Sequence, residues 1–366
     1  MSKNTGLSRR LIAISLFLFS VASFANAADA VRFKVKLDPS VVARGETVSG
    51  RLLIFMTRET KPLERIDPDL TDPDAVWISG TEITNLEPGK TIDIDADTLA
   101  FPAAFSKAPE GTYQIMALLG RDHSYTYGGP GAGDLLSVVV KAKMPGDETG
   151  LTLSKINPER AMAPMAANAR LIEFESPMLS AFWGRPVKMQ ASVILPPGYA
   201  AAKTQRYPAV YSVSGYGGTH LGALRGAENV AKSMREGKLP EMIYVHLNAH
   251  CPLGHHVFAD SANNGPWGTA LTNEFIPYIE SQFRMDARPS GRFLTGHSSG
   301  GWTTLWLMIT HPDFFGGTWS TSPDPADFRG FTGPDLTAYP PNNFYRDTAG
   351  KSYPLVRMDK ELMSLE

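Results

Sequence analysis

Gly296-His297-Ser298-Ser299-Gly300 is the segment of this 366-residue chain best suited to chemistry, because it sets a serine inside Gly-x-Ser-x-Gly. The short run Phe293, Leu294, Thr295 leads directly into it. In a nucleophile elbow the serine occupies a strained turn between a buried strand and a helix. Glycines flank it because side chains there would collide with the adjoining elements. Trp302, Leu305, Trp306 and Ile309 recur at helical spacing, which predicts a helix after Ser298 with this stripe as its buried face. Acyl transfer by such a serine also needs a base, an orienting acid and an oxyanion hole.

For the oxyanion hole, one donor is expected from the backbone N–H of Ser299, next after the nucleophile. The glycine-rich loop Ser214-Gly215-Tyr216-Gly217-Gly218 follows the apolar run Ala209 to Val213 and permits close backbone approach, so the second donor is assigned to the N–H of Tyr216. Asp324 and Asp327 follow a short strand candidate, Gly317 to Ser322, from which an acid could reach a triad histidine; Asp324 is the candidate acid.

The base is harder to find. His311 alone among histidines follows Ser298 in the remaining 68 residues. It lies about 20 Å from the hydroxyl at about 1.5 Å of helical rise per residue, so it reads as a helix-terminal residue and no triad histidine is assigned. His246, His250, His255 and His256 include no carboxylate or thiolate at metal-ligand spacing. They read as surface residues, with a substrate-pocket role open to His255 and His256. Neither metal nor cofactor is expected.

These residues need elements to position them. Residues 28–144 carry the signals of an all-β, immunoglobulin-like sandwich of antiparallel strands. Val31, Phe33, Val35 and Leu37 alternate with polar residues, and Val48 to Met56, Thr112 to Leu118 and Leu135 to Lys143 are further strands between Gly, Pro and Asp clusters. Residues 145–170 read as a Pro- and Ala-rich linker. From 171 to 366 strands alternate with helices: strands at Val187 to Leu195, Ala209 to Val213 and Met242 to Leu247, helices at Ala223 to Arg235 and Thr269 to Phe283. That alternation predicts a mostly parallel, doubly wound sheet whose ligands sit at the carboxyl ends of its strands.

The chain's first residues bear on its destination. Lys3, Arg9 and Arg10 precede an apolar run from Leu11 to Phe24 and the small residues Ala25-Asn26-Ala27, the pattern of a secretory signal peptide cleaved after Ala27. A periplasmic or secreted location without a membrane span is expected. Losing residues 1–27 moves the formal net charge from −2 to about −5, and no basic stripe with interleaved aromatics invites nucleic acid. Cys251 is the single cysteine, which excludes an intramolecular disulfide.

From about Arg170 onward the chain resembles the esterase family of α/β-hydrolases typified by esterase D and the enterochelin esterases. The resemblance is carried by Tyr207 to Tyr211 leading to Gly215, by Asn264-Gly265-Pro266-Trp267-Gly268, by Gly296 to Gly301 and by Ser320 to Asp324. It implies an α/β hydrolase fold, Ser298 as nucleophile, and an acid and a histidine on the last strands. The closing residues Lys360 to Glu366 read as entering a helix before such a histidine, so the hydrolase domain is expected to be C-terminally incomplete, lacking its last strands. The expected function is a secreted serine esterase acting on a small-molecule or glycan-linked ester. Its alternatives are an inactive carbohydrate- or siderophore-binding protein, and an acyltransferase on the same fold.

Overall fold

The computed structural model describes residues 30–68, 72, 75–121, 129–144, 146, 148–158, 165–251, 254–331 and 335–338, and the backbone of 356–358 and 361–363. Residues 1–27, expected to be a signal peptide, lie outside this set. Strands β1 (Arg32–Leu37), β2 (Val48–Thr57), β3 (Val76–Leu86), β4 (Thr91–Asp95), β5 (Ala100–Phe101), β6 (Gly111–Gly120), β7 (Leu135–Ser137), β8 (Val140–Met144) and β9 (Thr149–Ile156) form the first unit. They hydrogen-bond in the order β4-β1-β9-β7-β6-β2-β3-β5, with β8 on β6. The alternation read in β1 is realised: Phe33, Val35 and Leu37 are buried while Arg32, Lys34 and Lys36 are exposed. Two expectations are corrected. Thr149–Ile156, placed in a linker, is β9, and it pairs with β1 in parallel and with β7 antiparallel, so the β-rich unit runs past 144 and is not wholly antiparallel. Leu151 and Leu153 bury in the same core as Phe33, which explains why this stretch folds onto the sheet.

The second sheet contains β10 (Ala169–Glu175), β11 (Lys188–Ile194), β12 (Ala209–Val213), β13 (Ile243–Leu247), β18 (Arg292–His297) and β19 (Gly317–Thr321). Four two-residue strands lie between β13 and β18: β14 (His250–Cys251), β15 (Gly254–His255), β16 (Asp260–Ser261) and β17 (Gly265–Pro266). Its strand order is β10-β11-β13-β12-β18-β19. The pairs from β13 through β12 and β18 to β19 are parallel, whereas β11 is antiparallel to both β10 and β13. The sheet is therefore mixed, with an antiparallel edge on a parallel centre. The chain leaves β12 toward β13 on one side and returns to β18 on the other, which makes the carboxyl end of β12 a switch point where ligands bind on such sheets.

Helices α1 (Pro177–Trp183), α2 (Ala227–Arg235), α3 (Trp267–Ala270), α4 (Ile276–Gln282) and α5 (Ser299–Thr310) accompany this sheet. A π turn at Leu271–Phe275 joins α3 to α4. It precedes Pro277, which cannot donate to the helical ladder, so a locally widened turn accommodates it. Arg292 at the foot of β18 forms a bidentate ion pair with Glu280 of α4, at 2.7 and 2.9 Å, and both side chains are nearly buried. A buried pair with this geometry fixes the strand against the helix, because removing either partner would strand a charge.

Two further expectations fail. The stripe Trp302, Leu305, Trp306 and Ile309 is not the buried face of α5: Ile309 is 74% exposed, and the inward residues are Gly300, Gly301, Thr303, Thr304 and Leu307. The backbone of α5 passes so close to β12 and β19 that only small residues fit inward, which turns the tryptophans outward. At the far end, Glu361–Met363 is a strand, β21, paired with β20 (Val356–Met358), and not the start of a helix. No helix among the described residues is long and apolar enough to cross a membrane.

Candidate active site

Parallel pairing sets Val213 of β12 beside Gly296 of β18, so the Ser214 loop and Ser298 emerge side by side at the carboxyl edge. Ser298 adopts φ 57°, ψ −124°, a conformation that costs a non-glycine residue about 1–3 kcal/mol and persists only where its surroundings enforce it. The enforcement is visible. Its N–H donates to the Thr321 carbonyl at 3.1 Å, and its own carbonyl accepts from Trp302 N at 3.0 Å in the first turn of α5. A Cβ on Gly296 would stand 2.1 Å from the Gly300 carbonyl oxygen, one on Gly300 2.0 Å from that of Val213, and one on Gly301 2.7 Å from that of Thr321. Each clash is with backbone, which cannot rotate away. Gly300→Ala is therefore expected to destabilise the protein by about 3 kcal/mol or more, as overpacking against fixed atoms does; urea unfolding checks this, and a loss below about 1 kcal/mol would refute it.

The Ser298 hydroxyl donates to Asp324 Oδ1 at 3.0 Å, and the Ser299 hydroxyl donates to Oδ2 of the same carboxylate at 2.6 Å. Asp324 was expected to orient a histidine; among the described residues its hydrogen bonds go to the two serines instead. Asp327 is exposed and pairs with Arg329, away from this cluster. Ser299 is the first residue of α5, so its N–H has no acceptor within the helix and stands at the positive end of the helix dipole.

The loop after β12 closes through Gly218 N to the Gly215 carbonyl at 3.0 Å, with Gly217 at φ +75°, the left-handed third position of a type II turn. A Cβ on Gly215 would lie 3.2 Å from Ser298 Cβ and 3.7 Å from its Oγ, so this loop lies against the serine. Tyr216 sits at the second position of that turn, next after Gly215.

The histidines are not surface residues. His256 is buried and stacks on Trp267 at 3.8 Å between ring centroids, 7° from coplanar. His255 Nε2 lies 3.0 Å from the Ser214 carbonyl oxygen. His311 caps the end of α5, as expected. No group of three or more His, Cys, Asp or Glu side chains among the described residues is placed to hold a metal.

Burial lowers the pKa of His246 to about 4 and pushes His220, His255 and His256 below the usual imidazole value of 6.5. The native state thus binds fewer protons than the unfolded chain, starting at about pH 6.5 and, for His246, down to about pH 4. Stability should be full above that window and fall as the pH drops through it. A urea midpoint at pH 5 equal to or above that at pH 7.5 would contradict this.

A strained serine between a parallel strand and a helix, on a mixed sheet of this strand order, defines an α/β-hydrolase-like architecture. Residues 184–343 match the model of the family Esterase, described as "Putative esterase". Among curated proteins, the uncharacterized protein YbbA of Bacillus subtilis (strain 168) is 25% identical over 136 residues, which are 34% of this chain and 52% of YbbA. The chain thus spans about half the length of that relative. Similar solved structures include a ferulic acid esterase, with 25% identity, a TM-score of 0.37, and 43% of this chain and 59% of that one covered. An S-formylglutathione hydrolase from Agrobacterium tumefaciens has 17% identity and a TM-score of 0.36, with 44% and 60% covered.

The sequence reading missed the contact between the Ser298 hydroxyl and Asp324 and the pairing of His255 with the Ser214 loop. Only the dipeptide His255-His256 after a buried strand hinted at the second.

Proposed function

We propose that the protein is a serine esterase, periplasmic or secreted, that hydrolyses a small-molecule or glycan-linked carboxylic ester through an acyl-enzyme on Ser298. The observation carrying this reading is the strained Ser298 whose hydroxyl donates to the Asp324 carboxylate. In this reading Oγ attacks the ester carbonyl as its proton passes to the Asp324 carboxylate that accepts its hydrogen bond, and the N–H groups of Ser299 and Tyr216 receive the oxyanion. That proton then goes to the departing alkoxide, which leaves as the alcohol, and water attacks the acyl-enzyme to release the acid and restore the serine. Asp324 orients the hydroxyl and polarises it, because a carboxylate acceptor is a stronger hydrogen-bond partner than a neutral one.

His255 does not serve as the base. Its Nδ1 accepts from Val257 N at 3.1 Å, so its proton sits on Nε2, facing the Ser214 carbonyl, and no lone pair is left to receive the serine proton. Incubation of the full chain with a fluorophosphonate, read by intact mass and peptide mapping, tests the reading: a single adduct on Ser298 supports it, and an unlabelled Ser298 with adducts elsewhere sinks it. The match of residues 184–343 to the Esterase family model supports an ester substrate, and the acidic net charge disfavours nucleic acid.

A further inference from the structure

His255 and the segment that carries it are held by more contacts than a surface turn requires. Gly254, Val257 and Phe258 all have positive φ, at 107°, 46° and 47°. For a β-branched residue such as Val257 this is a strained conformation that the surroundings must impose. The imposing contacts are imidazoles. Val257 N donates to His255 Nδ1 and Phe258 N donates to His256 Nδ1, both at 3.1 Å, while His256 lies flat on Trp267 at the start of α3. Phe258 is buried, and its carbonyl oxygen would be 2.6 Å from a Cβ on Gly268, so the segment is wedged against α3.

From this anchored segment two contacts reach the Ser214 loop. His255 Nε2–H donates to the Ser214 carbonyl at 3.0 Å, and the Tyr216 ring lies across Gly254, where a Cβ would come within 3.0 Å of it. The Ser214 carbonyl shares a rigid peptide plane with the N–H of Gly215. The next plane, which carries the Tyr216 N–H, is held by the Gly215 carbonyl accepting from Gly218 N at 3.0 Å. With the planes on both sides of Gly215 held, its two torsions are set and the Tyr216 N–H keeps one direction.

We infer that His255 is a positioning residue that holds the Ser214–Gly215 peptide and thereby aims the Tyr216 N–H at the oxyanion formed on Ser298. This rests on the reading of Ser298 as nucleophile and Tyr216 as oxyanion donor. His250 and Asp324 are the other titratable groups whose charge acts on His255, apart from its neighbour His256.

Two substitutions separate the bonds. His255→Asn keeps an acceptor for Val257 N but is too short to reach the Ser214 carbonyl. His255→Gln places an N–H near the position of Nε2 and restores that bond. In the full chain, the rate of Ser298 phosphonylation by a fluorophosphonate is expected to fall about 10²-fold in His255→Asn, the scale of a misplaced oxyanion donor, and to stay within about threefold of wild type in His255→Gln. Amide exchange at 215–217 should rise about tenfold in His255→Asn alone, since the carbonyl restraint is lost there. Wild-type labelling and exchange in His255→Asn, or equal impairment in both variants, overturns the inference. Labelling that persists in Ser298→Ala would instead overturn the nucleophile reading, while the exchange contrast between Asn and Gln still decides the role of His255.

Discussion

Ser298→Ala is expected to abolish fluorophosphonate labelling and to lower ester hydrolysis by at least about 10³-fold, because without the nucleophile only binding and the oxyanion donors remain. The fold should survive the change. Ala at φ 57°, ψ −124° carries the same backbone strain as serine, and among the described residues the side-chain bond lost is the one to Asp324. Ser298→Gly sharpens the test, since glycine relieves the strain: it should be equally inactive yet more stable by about 1 kcal/mol. An alanine variant that retains a tenth of the hydrolysis would show that the serine does not carry the reaction. A glycine variant less stable than wild type would show that the elbow stores no strain.

Asp324→Asn is expected to slow labelling of Ser298 by about 10³-fold while leaving stability within about 1 kcal/mol. The carboxylate accepts from two hydroxyls, those of Ser298 and Ser299, at 3.0 and 2.6 Å. The amide keeps the shape of the group but removes its charge and replaces one acceptor atom with a donor, so one serine must turn away or meet another donor. The Ser298 hydroxyl then loses the anionic acceptor that holds it in its rotamer. Because Asp324 is only partly buried, the energetic consequence for folding is small even though the consequence for chemistry is large. Labelling kinetics together with urea unfolding separate the two. An Asn variant labelled at the wild-type rate would remove Asp324 from the site.

Much of this site was legible in the chain because its signals are local. The elbow is a five-residue pattern whose glycines are dictated by backbone atoms one turn or one strand away, and the loop after β12 announces itself by its own glycines. The alternation of β1 and the apolar run of β12 likewise report burial directly. The failures are equally instructive. The stripe of Trp302, Leu305, Trp306 and Ile309 has the period of a buried face, but hydrophobicity does not decide which side of α5 turns inward. Helix-to-strand distance decides it, and at this crossing only Gly300, Gly301, Thr303 and Thr304 are small enough, with Leu307 following on the same side. Thr149–Ile156 does alternate, with Thr149, Leu151 and Leu153 inward, but the run is short, and it completes a sheet only beside β1, more than a hundred residues earlier.

By itself, then, the sequence determined the Gly-x-Ser-x-Gly turn around Ser298, the helix that begins at Ser299 and the glycine loop after β12, since each follows from residue types within a few positions. Only the tertiary structure decided that Asp324 meets the hydroxyl of Ser298 directly, that Gly215 lies against it, and that His255 grips the Ser214 carbonyl. These contacts join residues separated by 26 positions in one case and 41 in another. They are set by sheet register, Val213 against Gly296 and His297 against Thr321, and by strain in the segment around Val257. Register is settled between two strands, by which faces both must bury, so one strand's residues do not fix it alone.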